Sequence, residues 1–262
     1  MKTCVINTPY KGYAQLVQII DELPEIFETG GDVLWEKRNT IKAFCYDDDK
    51  NQQRKTVIKR FKRPNFIQKL IYTICKHKAR KAYCNGQKLR SLGIATPEPI
   101  AFVELRCGVW LTDAYYMSEP TSLASINAEI NKDDWNRKLA WDFGRFLATL
   151  HDKGIMHHDL NGTNVLFGVN DANDYYFELI DINRMKFYRC GDDIPETEAI
   201  ENLTRFTDRL DLFEHVVRAY AEARHIEDKE GFVARAIVQK GRHDLRWRRR
   251  KAFCRLFKRK KK

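Results

Sequence analysis

The spacing of apolar and polar positions changes character along the chain. Lys55 to Phe61 reads KTVIKRF, alternating and β-branched, which predicts a strand. Upstream, Gly30-Gly31-Asp32 predicts a turn. Val33 to Trp35 and Thr40 to Tyr46 predict two short strands joined by Glu36-Lys37-Arg38-Asn39. Phe66, Ile67, Leu70, Ile71 and Ile74 recur at helical spacing over Phe66 to Lys76, and a second helix is predicted from Lys78 to Leu92, stopping at Gly93. Ile100 to Glu104 and Val109 to Met117 predict strands, and Ser118-Glu119-Pro120 a connector. Residues 1–30 mix apolar and acidic positions around Pro9 and Pro24.

In the second half, Leu139, Phe143, Phe146, Leu147 and Leu150 share one face of a helix predicted over Asp134 to Lys153, with Gly154 as its stop. Val165 to Val169 and Tyr176 to Ile180 predict a hairpin around Asn170-Asp171-Ala172-Asn173-Asp174. Leu203 to Ala223 predicts one continuous helix carrying Leu203, Phe206, Leu210, Phe213 and Val217 on one side. The expected division is residues 1–118, 119–240 and a basic tail over 241–262.

Composition changes this picture in two places. Of the 262 residues, 43% are hydrophobic, enough for one large core or two small lobes. The net charge of +11 is local: eleven of the 47 Lys and Arg lie in Arg246 to Lys262 with no Asp or Glu, leaving 36 basic against 36 acidic residues elsewhere. The seven cysteines form no Cys-x-x-Cys pair, which predicts free thiols serving as small core fillers in a reducing compartment. Met1 to Tyr10 has no signal-type apolar run, and no stretch has the length and apolarity of a membrane span.

The chemistry gathers at the predicted hairpin. Asn164 and Asp181 lie just outside its two strands, and an antiparallel pair brings its open ends side by side. An amide oxygen and a carboxylate suit a hard cation such as Mg²⁺. Asp159, five residues before Asn164, adds a second carboxylate on the same loop. Phosphoryl transfer needs such a set, with a metal for the phosphate oxygens, a carboxylate for the attacking hydroxyl and a fixed cation for the nucleotide, for which Lys59 is the candidate. His151, His157 and His158 invite a zinc reading, but no further Cys or His completes four ligands.

These residues resemble known motifs. His157-His158-Asp159-Leu160-Asn161-Gly162-Thr163-Asn164 is similar to the protein-kinase loop H-R-D-L-x-x-x-N, Val57-Ile58-Lys59 to V-A-I-K, and Ile180-Asp181-Ile182-Asn183 stands where D-F-G belongs, in the right order. The finer resemblance is to the lipopolysaccharide core kinases, which act on Kdo or heptose. It is carried by Arg38-Asn39, Lys59-Arg60-Phe61, Arg63-Pro64-Asn65, Lys78 to Tyr83, Gly93 to Pro99 and Ile180 to Arg184. It implies an α+β, bilobal protein-kinase-like fold, with an N-terminal β-sheet lobe with a helix and a mainly helical C-terminal lobe holding the catalytic hairpin. It also implies ATP with Mg²⁺, a lipopolysaccharide core glycolipid as acceptor, and a cytoplasmic location, peripheral on the cytosolic face of the inner membrane. By the same resemblance Asp159 is the catalytic base, Asn164 and Asp181 the metal ligands, and Lys59 the phosphate anchor. Arg38, Asn39, Met117 and Ser118 join Lys59 at the nucleotide.

Several features depart from the motifs. No G-x-G-x-x-G precedes Lys59, so the turn from Trp35 to Thr40 is expected to cover the phosphates. Asn85 stands where kinases place the glutamate partner of the lysine, leaving Glu36, Glu104 or Glu119 as acidic alternatives, or none. His158 occupies the Arg position of the loop. The rival readings are a protein or small-molecule kinase of the same fold, and a non-catalytic nucleotide-binding scaffold. Trp247, Phe253, Leu256 and Phe257 interleave with the cations of the tail, which predicts a contact with an anionic membrane surface ahead of nucleic acid or plain disorder.

Overall fold

The computed structural model describes residues 1–189 and 191–259, with side chains in the last helix through Phe253. It divides into two compact units, Met1–Ser122 with Asp181–Arg184, and Leu123–Ile180 with Met185–Lys262.

The first unit is built on a six-stranded antiparallel sheet in the order β1-β5-β6-β4-β3-β2. Its strands are β1 (Lys2–Ile6), β2 (Asp32–Glu36), β3 (Thr40–Asp47), β4 (Gln53–Arg60), β5 (Pro99–Cys107) and β6 (Trp110–Ser118). Residues 1–30, to which the pattern assigned no element, supply the edge strand β1, paired along β5 from Lys2↔Leu105 to Ile6↔Ala101. It also supplies helices α1 (Ala14–Asp21) and α2 (Glu25–Thr29). Leu16, Ile19 and Ile20 of α1 are fully or nearly buried with Phe27, Ile58, Tyr115 and Met117. That i, i+3, i+4 stripe is one turn long, too short to register as a period.

Helices α3 (Phe66–Ile74) and α4 (Lys78–Ser91) follow β4. A capping box opens α3: Asn65 Oδ1 accepts from the Gln68 N–H at 2.9 Å, and Gln68 Oε1 accepts from the Asn65 N–H at 3.2 Å. His77 caps α4 through Nδ1, which accepts the Ala79 N–H at 3.2 Å. Gly86 lets α4 approach closely, since a Cβ there would sit 2.5 Å from Pro99 Cγ.

The second unit contains β7 (Ala124–Ser125), α5 (Asn127–Ile130), α6 (Arg137–Asp152), β8 (Ile155–His157), β9 (Val165–Val169), β10 (Tyr175–Leu179), β11 (Met185–Phe187), α7 (Glu196–Leu203), α8 (Leu210–Ala223) and α9 (Lys229–Arg259). The apolar face of α6 is buried against α8, where Gly144 meets the Val216 carbonyl so closely that a Cβ would lie 2.5 Å away. The single helix expected over Leu203 to Ala223 is two. The chain leaves α7 after Leu203, buries Phe206, and turns at Thr207, whose hydroxyl accepts the Arg209 N–H at 3.1 Å, before α8 begins. A local hydroxyl acceptor competes with the helical ladder there.

The basic segment that begins at Arg246 is helical, continuing α9 through Arg259. Leu256 and Phe257 of the expected interleaved pattern, and Lys260 to Lys262, lie outside the described side chains. The expectation that cysteines fill the core is corrected: Cys45, Cys75, Cys84 and Cys107 are exposed free thiols, and Cys4 is intermediate. Among the described residues no helix is long and apolar enough to cross a membrane.

Candidate active site

In the second unit the loop from His157 to Asn164 is organised by neutral hydrogen bonds. His157, at the end of β8, accepts the Asp159 N–H on Nδ1 at 3.1 Å. Its proton therefore sits on Nε2, which donates to the Ile180 carbonyl at 3.1 Å. The Asp159 carbonyl accepts from Asn164 Nδ2 at 2.9 Å and from Asn161 Nδ2 at 3.2 Å. Strands β9 and β10 pair antiparallel from Val165↔Leu179 to Val169↔Tyr175, as the pattern predicts. Ile180 closes the open end by donating its N–H to the Asn164 carbonyl at 3.0 Å. Asp181 is the next residue.

A buried polar chain supports this loop. Asn202 Nδ2 donates to the His157 carbonyl at 2.8 Å, and its Oδ1 faces His151 Nε2 at 3.2 Å. With Asn202 Oδ1 as acceptor, His151 carries its proton on Nε2. Its Nδ1 then accepts from the Tyr220 hydroxyl at 2.8 Å, and that oxygen accepts from Arg224 at 3.1 Å. Burial pushes the His151 imidazole down to about 4, reinforced by Arg224 and opposed by the Asn202 bond. The ring nitrogens of His151 and His157 are thus engaged in hydrogen bonds. Burial, Arg205 and Lys186 hold His158 below the usual histidine range.

In the first unit the carboxylate that follows the hairpin is held by full charges. Lys59 sits on β4, paired with Ile41 of β3 and Tyr116 of β6. Its Nζ donates to Asp181 Oδ1 at 2.6 Å. Asn183 Nδ2 donates to the same oxygen at 2.6 Å. Asp181 has φ of +53°, a left-handed conformation uncommon for a non-glycine residue and frequent at functional sites. Burial, then Arg38 and Arg184, push the Lys78 ammonium below the usual lysine range, with Lys59 adding to this and Asp181 opposing it. Arg38, Arg184, Asp181 and Lys59 thus all act on Lys78.

The acidic partner of Lys59 is therefore Asp181 and none of the glutamates considered. Glu104 pairs with Arg106 at 3.1 Å, and Glu119 accepts from the Tyr10 hydroxyl at 2.7 Å. Asn85 spends its amide on the Ile182 carbonyl at 2.7 Å, bracing the turn after Asp181. Asn39 accepts the Lys62 N–H at 3.1 Å and so ties the β2–β3 turn to the end of β4, while Arg38 lines a recess with Lys62 and Lys78. Met117, expected at the nucleotide, has a fully buried side chain in the core, and the Ser118 carbonyl accepts from the Thr56 hydroxyl at 3.2 Å.

Lys78, Asn183 and Asn202 are site residues the sequence did not assign. The signal for Lys78 was available in the cation density around it. Asn202 had none, since one polar residue on a helix reads as surface.

The sequence model of the lipopolysaccharide kinase (Kdo/WaaP) family matches residues 33–221. A solved structure described as WaaP in complex with acyl carrier protein is similar over 92% of this chain and 98% of that one, with a TM-score of 0.56 and 18% identity. The Rio2 kinase–ADP/Mg²⁺–phosphoaspartate complex from Chaetomium thermophilum aligns over 82% of this chain and 71% of that one, with a TM-score of 0.46 and 14% identity. No curated protein sequence matches. The architecture is α+β and protein-kinase-like.

Proposed function

The chain belongs to the lipopolysaccharide kinase (Kdo/WaaP) family, and we propose that it moves the γ-phosphoryl group of ATP to a sugar hydroxyl of the lipopolysaccharide inner core, on Kdo or heptose. That it is a kinase follows from the family; the acceptor, the nucleotide and the residue roles are the proposal. The observation that carries it is the Lys59–Asp181 ion pair braced by Asn183.

Asn164 and Asp181 fit Mg²⁺ by their chemistry, both offering hard oxygen donors. The Asn164 amide nitrogen is committed to the Asp159 carbonyl, so Oδ1 is the atom it offers a cation. When bound, the metal neutralises charge on the phosphate oxygens. Lys59 anchors the phosphates, and the excess of cations at Lys78, Arg38 and Arg184 suits a polyanionic ligand. Asp159 orients the acceptor hydroxyl and takes its proton, with its backbone fixed by His157 and Asn164. Met117 and Ser118, at the end of β6, join Lys59 at the nucleotide in this reading.

The reading extends to a cytoplasmic site of action, peripheral on the cytosolic face of the inner membrane, with the tail toward anionic lipid. By likeness to the WaaP complex it extends to an acyl carrier protein as protein partner, which co-elution tests. Mass spectrometry of lipopolysaccharide from cells with and without this gene tests the acceptor. A core phosphate lost with the gene is expected, and an unchanged core overturns the assignment. Transfer in vitro to protein or aminoglycoside acceptors, and none to core glycolipid, favours a kinase of another specificity.

A further inference from the structure

Helix α3 is anchored on one side and bare on the other. Tyr72 packs partly buried against the cluster of Phe61, Ala79, Phe102, Leu111 and Ala114. Arg106 donates to the Tyr72 carbonyl at 3.1 Å, and Phe66 tilts against Trp110. With the capping box at its start, the helix is fixed in place. Yet none of its residues is buried, and Phe66, Ile67, Leu70, Ile71 and Ile74 are 49–91% exposed along one face. A contiguous apolar face of this kind marks a surface that meets something.

The charges around it say what. From residue 50 to residue 97 there is no Asp or Glu, against fourteen Lys and Arg. Among the described residues no carboxylate pairs with Lys62 before the helix, Lys69 within it or Lys76 after it. Arg63 is matched by Asp113 at 2.7 Å. On the side of the helix turned toward the sheet, Arg38, Lys62 and Lys78 line a recess of about 170 Å³ with Asn65 and Gln68. An apolar stripe bordered by unpaired cations matches acyl chains beneath anionic headgroups. It does not match a second copy of itself, because a two-fold contact would set two cationic rims against each other.

We propose that α3 lies in the interface of an anionic lipid bilayer, with its five apolar side chains in the acyl boundary and Lys62, Lys69 and Lys76 toward the lipid phosphates. This deepens the membrane part of the reading above and places the docking surface on the first unit as well as the tail. The test needs neither nucleotide nor acceptor, so its failure leaves the kinase reading standing.

The full-length protein is sedimented with vesicles of phosphatidylcholine alone, and of phosphatidylcholine with phosphatidylglycerol in equal parts. Binding to the anionic vesicles only is expected, weakened at least about tenfold in L70E/I74E. K62Q/K69Q/K76Q should lose about fivefold per lysine while keeping the apolar face. R248Q/R249Q/R250Q in the tail should retain the part that L70E/I74E removes. Circular dichroism and thermal unfolding establish that each variant is folded, and the lysine variant serves if the glutamates disturb the helix. Anionic-vesicle binding unchanged in both α3 variants overturns the proposal, as does no binding by the wild type. So does a wild-type dimer that L70E/I74E dissociates, or an acyl carrier protein captured by α3 while vesicle binding is unmoved.

Discussion

The two units supply the expected catalytic residues by opposite means. Around Asp159 the supports are neutral and buried: imidazole to backbone, amide to carbonyl, then Asn202, His151 and Tyr220 in series. Around Asp181 the support is a formal charge, the Lys59 ammonium, with Lys78 in the field of Asp181, Arg38 and Arg184. A satisfied neutral network rigidifies a loop without regard to ionic strength. A surplus of cations is costly until an anion arrives, and suits a place that exchanges ligands. The loop proposed to orient the acceptor is built from hydrogen bonds, and the corner proposed to hold phosphates is built from charge.

The comparison breaks first if Asp159 is dispensable. Asp159→Ala removes the proposed base and leaves its backbone supports in place. Turnover with γ-labelled ATP should fall by about 10²–10⁴, with nucleotide binding by calorimetry little changed. Wild-type turnover would remove the loop from the mechanism.

Acid should act on the neutral side. His151 titrates near 4 in the folded protein and near its ordinary 6.5 when unfolded. Between those values the unfolded chain binds the extra proton, so the His151 contribution to stability is flat above pH 6.5, falls as pH drops toward 4, and levels below. The loss is about 3 kcal/mol over that window. Protonated Nδ1 can no longer accept from Tyr220, which already accepts from Arg224. Denaturation midpoints from pH 7 to pH 4.5 should show the slope, and His151→Gln should flatten part of it. His77, pushed down to about 3 mainly by burial, supplies the remainder. A His151→Gln slope identical to wild type would mean the network does not titrate as a unit.

Asn202→Ala strips one donor from the His157 carbonyl and one acceptor from His151. A cost of about 2–3 kcal/mol in urea denaturation is expected, equal at low and high salt because no charge is lost. A strongly salt-dependent cost would undo the contrast between the two sides.

What the sequence could reveal follows from these materials. The β9–β10 hairpin was legible because its alternation and the Asn170–Asp174 turn are local, and that register alone places Asn164 beside Ile180. The partner of Lys59 was not, since 122 positions separate it from Asp181 and nearer glutamates competed. The periods of α3 and α6 look alike, yet Phe143 and Leu147 are buried while Leu70 and Ile74 are bare. Period reports which side chains share a face, and only the neighbouring elements decide what covers it. The break between α7 and α8 was hidden because Leu203, Phe206, Phe213 and Val217 stay buried on both sides of it.

The smallest effect belongs to Asn183, which stands where protein kinases have the glycine of D-F-G. Its amide shares Asp181 Oδ1 with Lys59, both at 2.6 Å. Asn183→Ala deletes a hydrogen bond to a charged acceptor while the ion pair stays, a change of about 1–1.5 kcal/mol. If Asp181 is a metal ligand, that change appears as a roughly five- to tenfold rise in the Mg²⁺ needed for half-maximal transfer. Denaturation should shift little, because the group is half-exposed and lies outside the buried chain under Asp159. The opposite pattern, a stability loss at unchanged Mg²⁺ demand, would make Asn183 a structural brace and bring the Asp181 corner closer in character to the loop it was contrasted with.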